Sequence, residues 1–189
     1  MSGSTLKPEI LSCYKSKTFI ETGTADGEGI QVALDVGFES IISIEANPNV
    51  FANACQRFAD NDRVTPILGD SGVVLPDILR GIKEPATFWL DAHWSIGEDD
   101  LGPAVNKCPI LYDLRAIGQH SVKNHILMID DIRYFRHGGL RPPPEWKGIN
   151  LGDIMQVILE INANYRIEFL DGFQPYDILV AKVKEGITP

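Results

Sequence analysis

Short runs of β-branched and aromatic residues alternate along the chain with longer stretches whose apolar positions recur at helical spacing. Thr18 to Glu21 predicts a first strand, broken by Gly23, Gly27 and Gly29. Ile30 to Val36 reads as a helix, with Gly37 where a left-handed cap falls. Ser40 to Glu45 predicts a second strand, and Pro48 opens a helix that runs to about Phe58. Val64 to Leu68 is a third strand, followed by a helix over Val73 to Lys83. Thr87 to Asp91 is a fourth strand. After a long loop, a helix opens near Pro109 and ends near Gln119, and His125 to Asp130 is a fifth strand. An irregular stretch rich in Gly, Pro and Arg spans Ile132 to Asn150. Leu151 to Asn162 then carries Ile154, Val157, Ile158 and Ile161 on one helical face. The chain closes with two apolar runs, Arg166 to Leu170 and Tyr176 to Val183. Five strand–helix alternations and a terminal pair predict an α/β layer fold with a mostly parallel sheet, one domain over 1–189.

The composition narrows the partners. Of 189 residues, 44% are apolar and 23% charged, ample for a core. Seventeen basic against twenty-six acidic side chains leave a formal charge of −9. That balance argues against general nucleic-acid binding, which needs phosphates neutralised. No apolar run approaches the roughly 20 residues that cross a bilayer, and the N-terminus has no apolar block of the secretory kind. Cys13, Cys55 and Cys108 are odd in number and in no metal-ligand spacing. Reduced thiols in a cytoplasmic protein are the expectation.

In open α/β sheets ligands bind outside the carboxyl ends of the strands. In this chain those positions are Glu21, Glu45, Asp70, Asp91, Asp130 and Asp131, all acidic. Each alone reads equally as a solvated turn acid. The turn after strand one, Glu21-Thr22-Gly23-Thr24-Ala25-Asp26-Gly27-Glu28-Gly29, frees backbone N–H groups at a helix start. It lacks the G-x-G-x-x-G spacing and the P-loop lysine, and Glu28 puts a negative charge where a pyrophosphate would lie. The turn suits a ligand whose local group is cationic or zwitterionic. Glu45 is placed to accept two ribose hydroxyls, and Asp70-Ser71 to meet an adenine. Together with the glycine turn, they favour an adenosine-containing ligand.

With those elements in order, the chain resembles the class I S-adenosylmethionine-dependent methyltransferases. The matching motifs are Phe19-Ile20-Glu21-Thr22-Gly23 with Gly27, Ile44-Glu45, Gly69-Asp70-Ser71 with Leu75-Pro76, and Phe88-Trp89-Leu90-Asp91. The resemblance implies a Rossmann-like, doubly wound, seven-stranded sheet whose last strand is antiparallel. It places Glu21, Gly23, Thr24, Gly27, Gly29, Glu45, Asp70, Ser71 and Asp91 around the cofactor. Within that set Gly23 and Gly27 would approach the methionine portion, Glu45 the ribose, and Asp70 and Ser71 the adenine.

A narrower likeness is to the divalent-cation-dependent O-methyltransferases, on Asp91, Asp130 and Asp131. The residues give their own reason for a metal there. Neighbouring strands lie about 4.8 Å apart, so carboxylates at their ends repel unless protonated or bridged by a cation. Hard oxygen ligands suit Mg²⁺. His93, two residues past Asp91, is a candidate proton acceptor, metal ligand or substrate contact, and Trp94 a candidate pocket wall. The expected reaction is transfer of a methyl group to a hydroxyl of a sugar or other small molecule. Arg133, Arg136, His137, Arg141 and Lys147 make the stretch after strand five basic, which reads as a solvated loop or a seat for an anionic acceptor. An open pocket, a large acceptor, or a homo-oligomer whose partner subunit completes the site would each fit the short N-terminal segment. Two other classes stay open: an NAD-dependent oxidoreductase or epimerase, and a non-catalytic nucleotide-binding module.

Overall fold

The computed structural model of the chain describes residues 5–92, 108–136, 146 and 148–184. A short helix, α1 (Pro8–Leu11), precedes β1 (Thr18–Thr22), α2 (Glu28–Val36), β2 (Ser40–Glu45), α3 (Pro48–Arg57) and β3 (Val64–Leu68). There follow α4 (Ser71–Leu79), β4 (Ala86–Leu90), α5 (Ile110–Gln119), β5 (Ile126–Ile129), α6 (Leu151–Ile161), β6 (Tyr165–Leu170) and β7 (Ile178–Val183). The strands form one sheet in the order β3-β2-β1-β4-β5-β7-β6. β1 to β5 pair in parallel, while β7 runs antiparallel to both β5 and β6. The expected doubly wound sheet with an antiparallel last strand is present. Among the described residues, no helix is long and apolar enough to cross a membrane.

Each face of the sheet has its own apolar layer. Ile20, Phe88, Leu90, Leu127 and Ile129 point to the face covered by α4, α5 and α6, with Leu75, Leu114, Ile154 and Ile158. Phe19, Ile41, Trp89 and Met128 point the other way, onto Leu11 of α1, Ile30 of α2 and Phe58 after α3. Alternation along a strand produces this split, since successive side chains face opposite sides.

The helix ends follow the local chemistry, and α2 starts at Glu28, a little before the expected Ile30, while α4 differs from the periodicity at both ends. Asp70 accepts the Gly72 N–H and Asn47 the Asn49 N–H, each at 2.9 Å, as N-caps of α4 and α3. The Asp70 cap starts α4 at Ser71, earlier than Val73, and α4 ends at Leu79 rather than Lys83. Gly37 takes the left-handed conformation that ends α2. The last strand begins at Ile178, not Tyr176, because Tyr176 sits at φ 61° in the turn before it.

At the far end of the sheet from the strand tips, His125 is fully buried ahead of β5. Its Nδ1 accepts the Ala86 N–H at 3.0 Å, which leaves the proton on Nε2 for His120 Nδ1 at 2.9 Å. His120 Nε2 then donates to the Ile82 carbonyl at 3.1 Å. Every position in this chain of bonds requires neutral rings. Burial, and then His120, push His125 down to about 4. The native state therefore resists protonation that the unfolded chain accepts below its ordinary value near 6.5. Stability from this group is present above that value and is lost as pH falls towards 4. Denaturant titrations at pH 7 and 4.5 are expected to show wild type losing up to about 3 kcal/mol more than His125→Gln.

Candidate functional site

The order of the strands fixes where a ligand can lie. Strand order reverses between β1 and β4, so a crevice opens beyond their carboxyl ends. The hydrogen-bond ladder runs one residue past the strands at this rim. Gly23 N donates to Ile44 O at 2.9 Å, Asp91 N to Thr22 O at 3.1 Å, and Asp130 N to Leu90 O at 3.3 Å. Gly69 N does the same to Glu45 O at 2.8 Å. Parallel pairing thus brings Gly23, Glu45, Asp70, Asp91 and Asp130, distant in sequence, to one edge.

Glu45 ties down the glycine turn. Its Oε2 accepts the N–H groups of Thr24 at 3.0 Å and Ala25 at 3.3 Å, and its Oε1 the N–H of Asn47 at 2.8 Å. Thr24 is itself buried, its hydroxyl 2.6 Å from that of Ser43. A Cβ on Gly23 would come within 2.8 Å of the Asp91 carbonyl oxygen, so the turn lies against the end of β4 backbone to backbone. Gly27 is the left-handed N-cap of α2, and a Cβ there would strike the Phe58 ring. Gly29 lies directly over the Glu21 carboxylate, where any Cβ would collide with Oε1.

Glu21 is consequently inside the protein, 2% exposed, with Ser43 Oγ donating to Oε2 at 2.9 Å. Burial, with Asp91 and Glu45 adding to it, raises its carboxyl to about 8 against the opposing Ser43 bond. It supports the turn from beneath. Asp70 caps α4 beside the crevice, and the buried Ser71 Oγ donates to Asp113 Oδ2 at 3.0 Å.

Asp113, on the first turn of α5, was invisible in the sequence because it reads as an ordinary early-helix acid. It is 1% exposed, and burial raises its carboxyl to about 7. A narrow cleft runs from Thr22 past Asp91 and Asp113 to Asp130, with Phe135 and Trp146 as aromatic walls. Asp130 Oδ1 accepts the Asp131 N–H at 2.8 Å, and Oδ2 accepts the Thr5 hydroxyl. Burial, and next the nearby Asp91, hold the Asp130 carboxyl above the usual carboxylate range. Asp91 and Asp130 both line this cleft.

Asp131 is tied into an ion-pair network. Its Oδ1 pairs with the Arg133 guanidinium, which also pairs with Asp177 at the start of β7. Arg133 is therefore a paired cation with only 11% of its side chain exposed, not part of a solvated loop. Asp177 was also missed. Because β7 runs against its neighbours, Asp177, the residue just before it, lies at the same rim as the last residues of β4 and β5. Arg136 donates to the Tyr176 carbonyl. His93, Trp94, His137, Arg141 and Lys147 lie outside the described residues.

No protein-family model matches the chain, and no curated protein does either. Solved structures match over nearly its whole length. The SAH-bound methyltransferase PaMTH1 of Podospora anserina is 16% identical, with a TM-score of 0.60 over 94% of this chain and 76% of its own. The O-methyltransferase TomG of Streptomyces achromogenes, involved in tomaymycin synthesis and solved with SAM, is 17% identical. Its TM-score is 0.61 over 95% of this chain and 78% of its own. An O-methyltransferase from Bacillus cereus, in complex with SAH, is 15% identical, with a TM-score of 0.58 over 94% and 78% of the two chains. The fold is that of the class I S-adenosylmethionine-dependent methyltransferases. At these identities the likeness is one of fold, and the chemistry must be argued from this chain's own residues.

Proposed function

We propose that the protein transfers a methyl group from S-adenosylmethionine to a hydroxyl oxygen of a sugar or small molecule, assisted by a divalent cation such as Mg²⁺. The observation that carries this reading is the tie from Glu45 to the N–H groups of Thr24 and Ala25 at the β1–β4 crevice. It sets a carboxylate beside a glycine turn, where a ribose would lie. A carboxylate has about four acceptor sites, so Glu45, with three taken by backbone N–H groups, keeps one for a ribose hydroxyl. Gly23, with no Cβ, lets the turn lie against the end of β4, beside which the ligand's methionine portion would sit. Asp70 and Ser71 stand where the adenine would lie, with Asp113 orienting the Ser71 hydroxyl.

When bound, the cofactor supplies an activated methyl group on a sulfonium, and the acids around the crevice favour that positive charge over a pyrophosphate. The Asp91 and Asp130 pair, both lining the cleft, fits a hard cation by donor type. A divalent cation there would lower the pKa of an acceptor hydroxyl and offset the charge that develops on its oxygen. His93, by its place two residues after Asp91, is the proposed proton acceptor. Phe135 and Trp146 give the acceptor side of the cleft two apolar walls.

Calorimetry with S-adenosylhomocysteine tests the reading. Wild type is expected to bind it and not NAD. Glu45→Ala is expected to weaken binding by about tenfold to a hundredfold, the size of lost hydrogen bonds to a charged acceptor. Asp130→Ala is expected to keep cofactor affinity and lose the response to Mg²⁺. Binding of NAD in place of S-adenosylhomocysteine would instead identify the oxidoreductase class.

A further inference from the structure

Asp130, Asp131 and Asp177 are all buried, and one oxygen from each lies within 4.8 Å of the others. By donor type such a group suits a divalent cation. A guanidinium is already in it. Arg133 Nη1 pairs with Asp131 Oδ1 and with Asp177 Oδ2, and the Arg133 backbone N–H donates to Asp177 Oδ1 at 2.8 Å. The backbone turn that delivers it is fixed as well. Asp131 sits at φ 59°, a left-handed conformation unusual for a side-chain-bearing residue, and the Ile132 N–H donates to the Asp177 carbonyl at 3.0 Å. The guanidinium lies 4.7 Å from the Tyr134 ring and 4.9 Å from the Phe173 ring.

We propose that Arg133 is a resident cation that fills the electrostatic place of a metal ion between Asp131 and Asp177, so that a divalent ion at this rim is left to Asp91 and Asp130. Three physical facts carry this. Asp177 is fully buried, and a buried carboxylate needs a compensating charge. An arginine stays charged at any pH the protein survives, so its compensation, unlike that of a metal, does not vary with ion supply. The stack between Tyr134 and Phe173 resists displacement, because a metal entering the corner would have to pull the guanidinium out of both rings. Asp131 thereby becomes an anchor joining the end of β5 to the start of β7. The rim is assembled before any divalent ion arrives.

The Asp91–Asp130 half of this assignment rests on the metal-assisted reaction proposed above, whereas the Arg133 half does not. Mn²⁺ titration followed by electron paramagnetic resonance, with thermal unfolding alongside, separates them. Wild type is expected to bind one Mn²⁺, lost in Asp91→Asn and kept in Asp131→Asn. Arg133→Met is expected to bind a second Mn²⁺ and to gain thermal stability from it. Arg133→Lys, which keeps a cation, and Arg133→Met with Asp177→Asn are expected not to. If wild type binds no Mn²⁺ while Arg133→Met gains a site, the resident-cation assignment stands and the metal-assisted reaction falls. Loss of the wild-type Mn²⁺ in Asp131→Asn overturns the assignment, because Asp131 would then be a ligand. A folded Arg133→Met protein with no added site overturns it too. Should that variant not fold, the Asp131→Asn titration decides alone.

Discussion

Gly23→Ala is expected to destabilise the protein by about 2–4 kcal/mol and to abolish S-adenosylhomocysteine binding. Gly23 sits at φ 86°, where a Cβ costs about 1 kcal/mol in backbone strain alone. The larger part is crowding. The new methyl would lie 2.8 Å from the Asp91 carbonyl oxygen, 3.1 Å from its carbon and 3.2 Å from the Ala92 Cα. Those are backbone atoms at the end of a buried strand and cannot rotate aside. Gly23 cannot retreat the other way, because its N–H is held by Ile44 O. Relief must come from spreading the tips of β1 and β4, the place where the cofactor is proposed to lie. Gly148→Ala is the control: it has φ 97° but, among the described residues, nothing within 4 Å of a Cβ. It should lose only the strain, about 1 kcal/mol, with cofactor binding intact. Thermal unfolding and calorimetry on both variants read the difference. Equal losses in the two would show that the contact between the turn and β4 is unimportant.

Glu21→Gln is expected to make the protein more stable at pH 8 than wild type, by up to about 4 kcal/mol, and to leave little difference near pH 4.5. The sign follows from the direction of the shift. Burial raises the native Glu21 carboxyl from 4.5 to about 8, so the folded state holds a proton that the unfolded chain gives up. Below 4.5 both states are neutral and nothing is lost. Between 4.5 and 8 the unfolded state ionises first, and wild-type stability falls with rising pH. Glutamine cannot ionise, and its carbonyl oxygen can still accept the Ser43 hydroxyl. Asp113 titrates alike in both proteins and cancels in the comparison. Denaturant titrations at several pH values give the curve directly. A flat difference between variant and wild type across this range would mean that Glu21 ionises freely. An acid buried where it lowers stability, directly under the turn proposed to hold the cofactor, is the kind of local conflict that functional sites retain.

Much of the architecture was legible in the sequence because its signals are local. Ser40–Glu45 and Val64–Leu68 coincide with the strands expected, and Gly37 and Pro48 mark helix ends by their own backbone preferences. The acids after β2, β3, β4 and β5 could be read as one rim because parallel strands must all end on the same side. The sequence alone therefore determined the α/β layering, the glycine turn and the acidic edge.

Partnership was decided elsewhere. Ser71 and Asp113 are 42 residues apart, and Arg133 and Asp177 are 44 apart. Nothing in either neighbourhood marks the pairing. The depth of Glu21 depends on Gly29 of α2 passing directly above it. Asp177 reaches the rim only because β7 runs antiparallel, a direction that strand periodicity does not encode. Repeat spacing and turn residues are written in consecutive positions, whereas the neutralisation of a buried charge depends on which distant segments the packed sheet brings within ångströms.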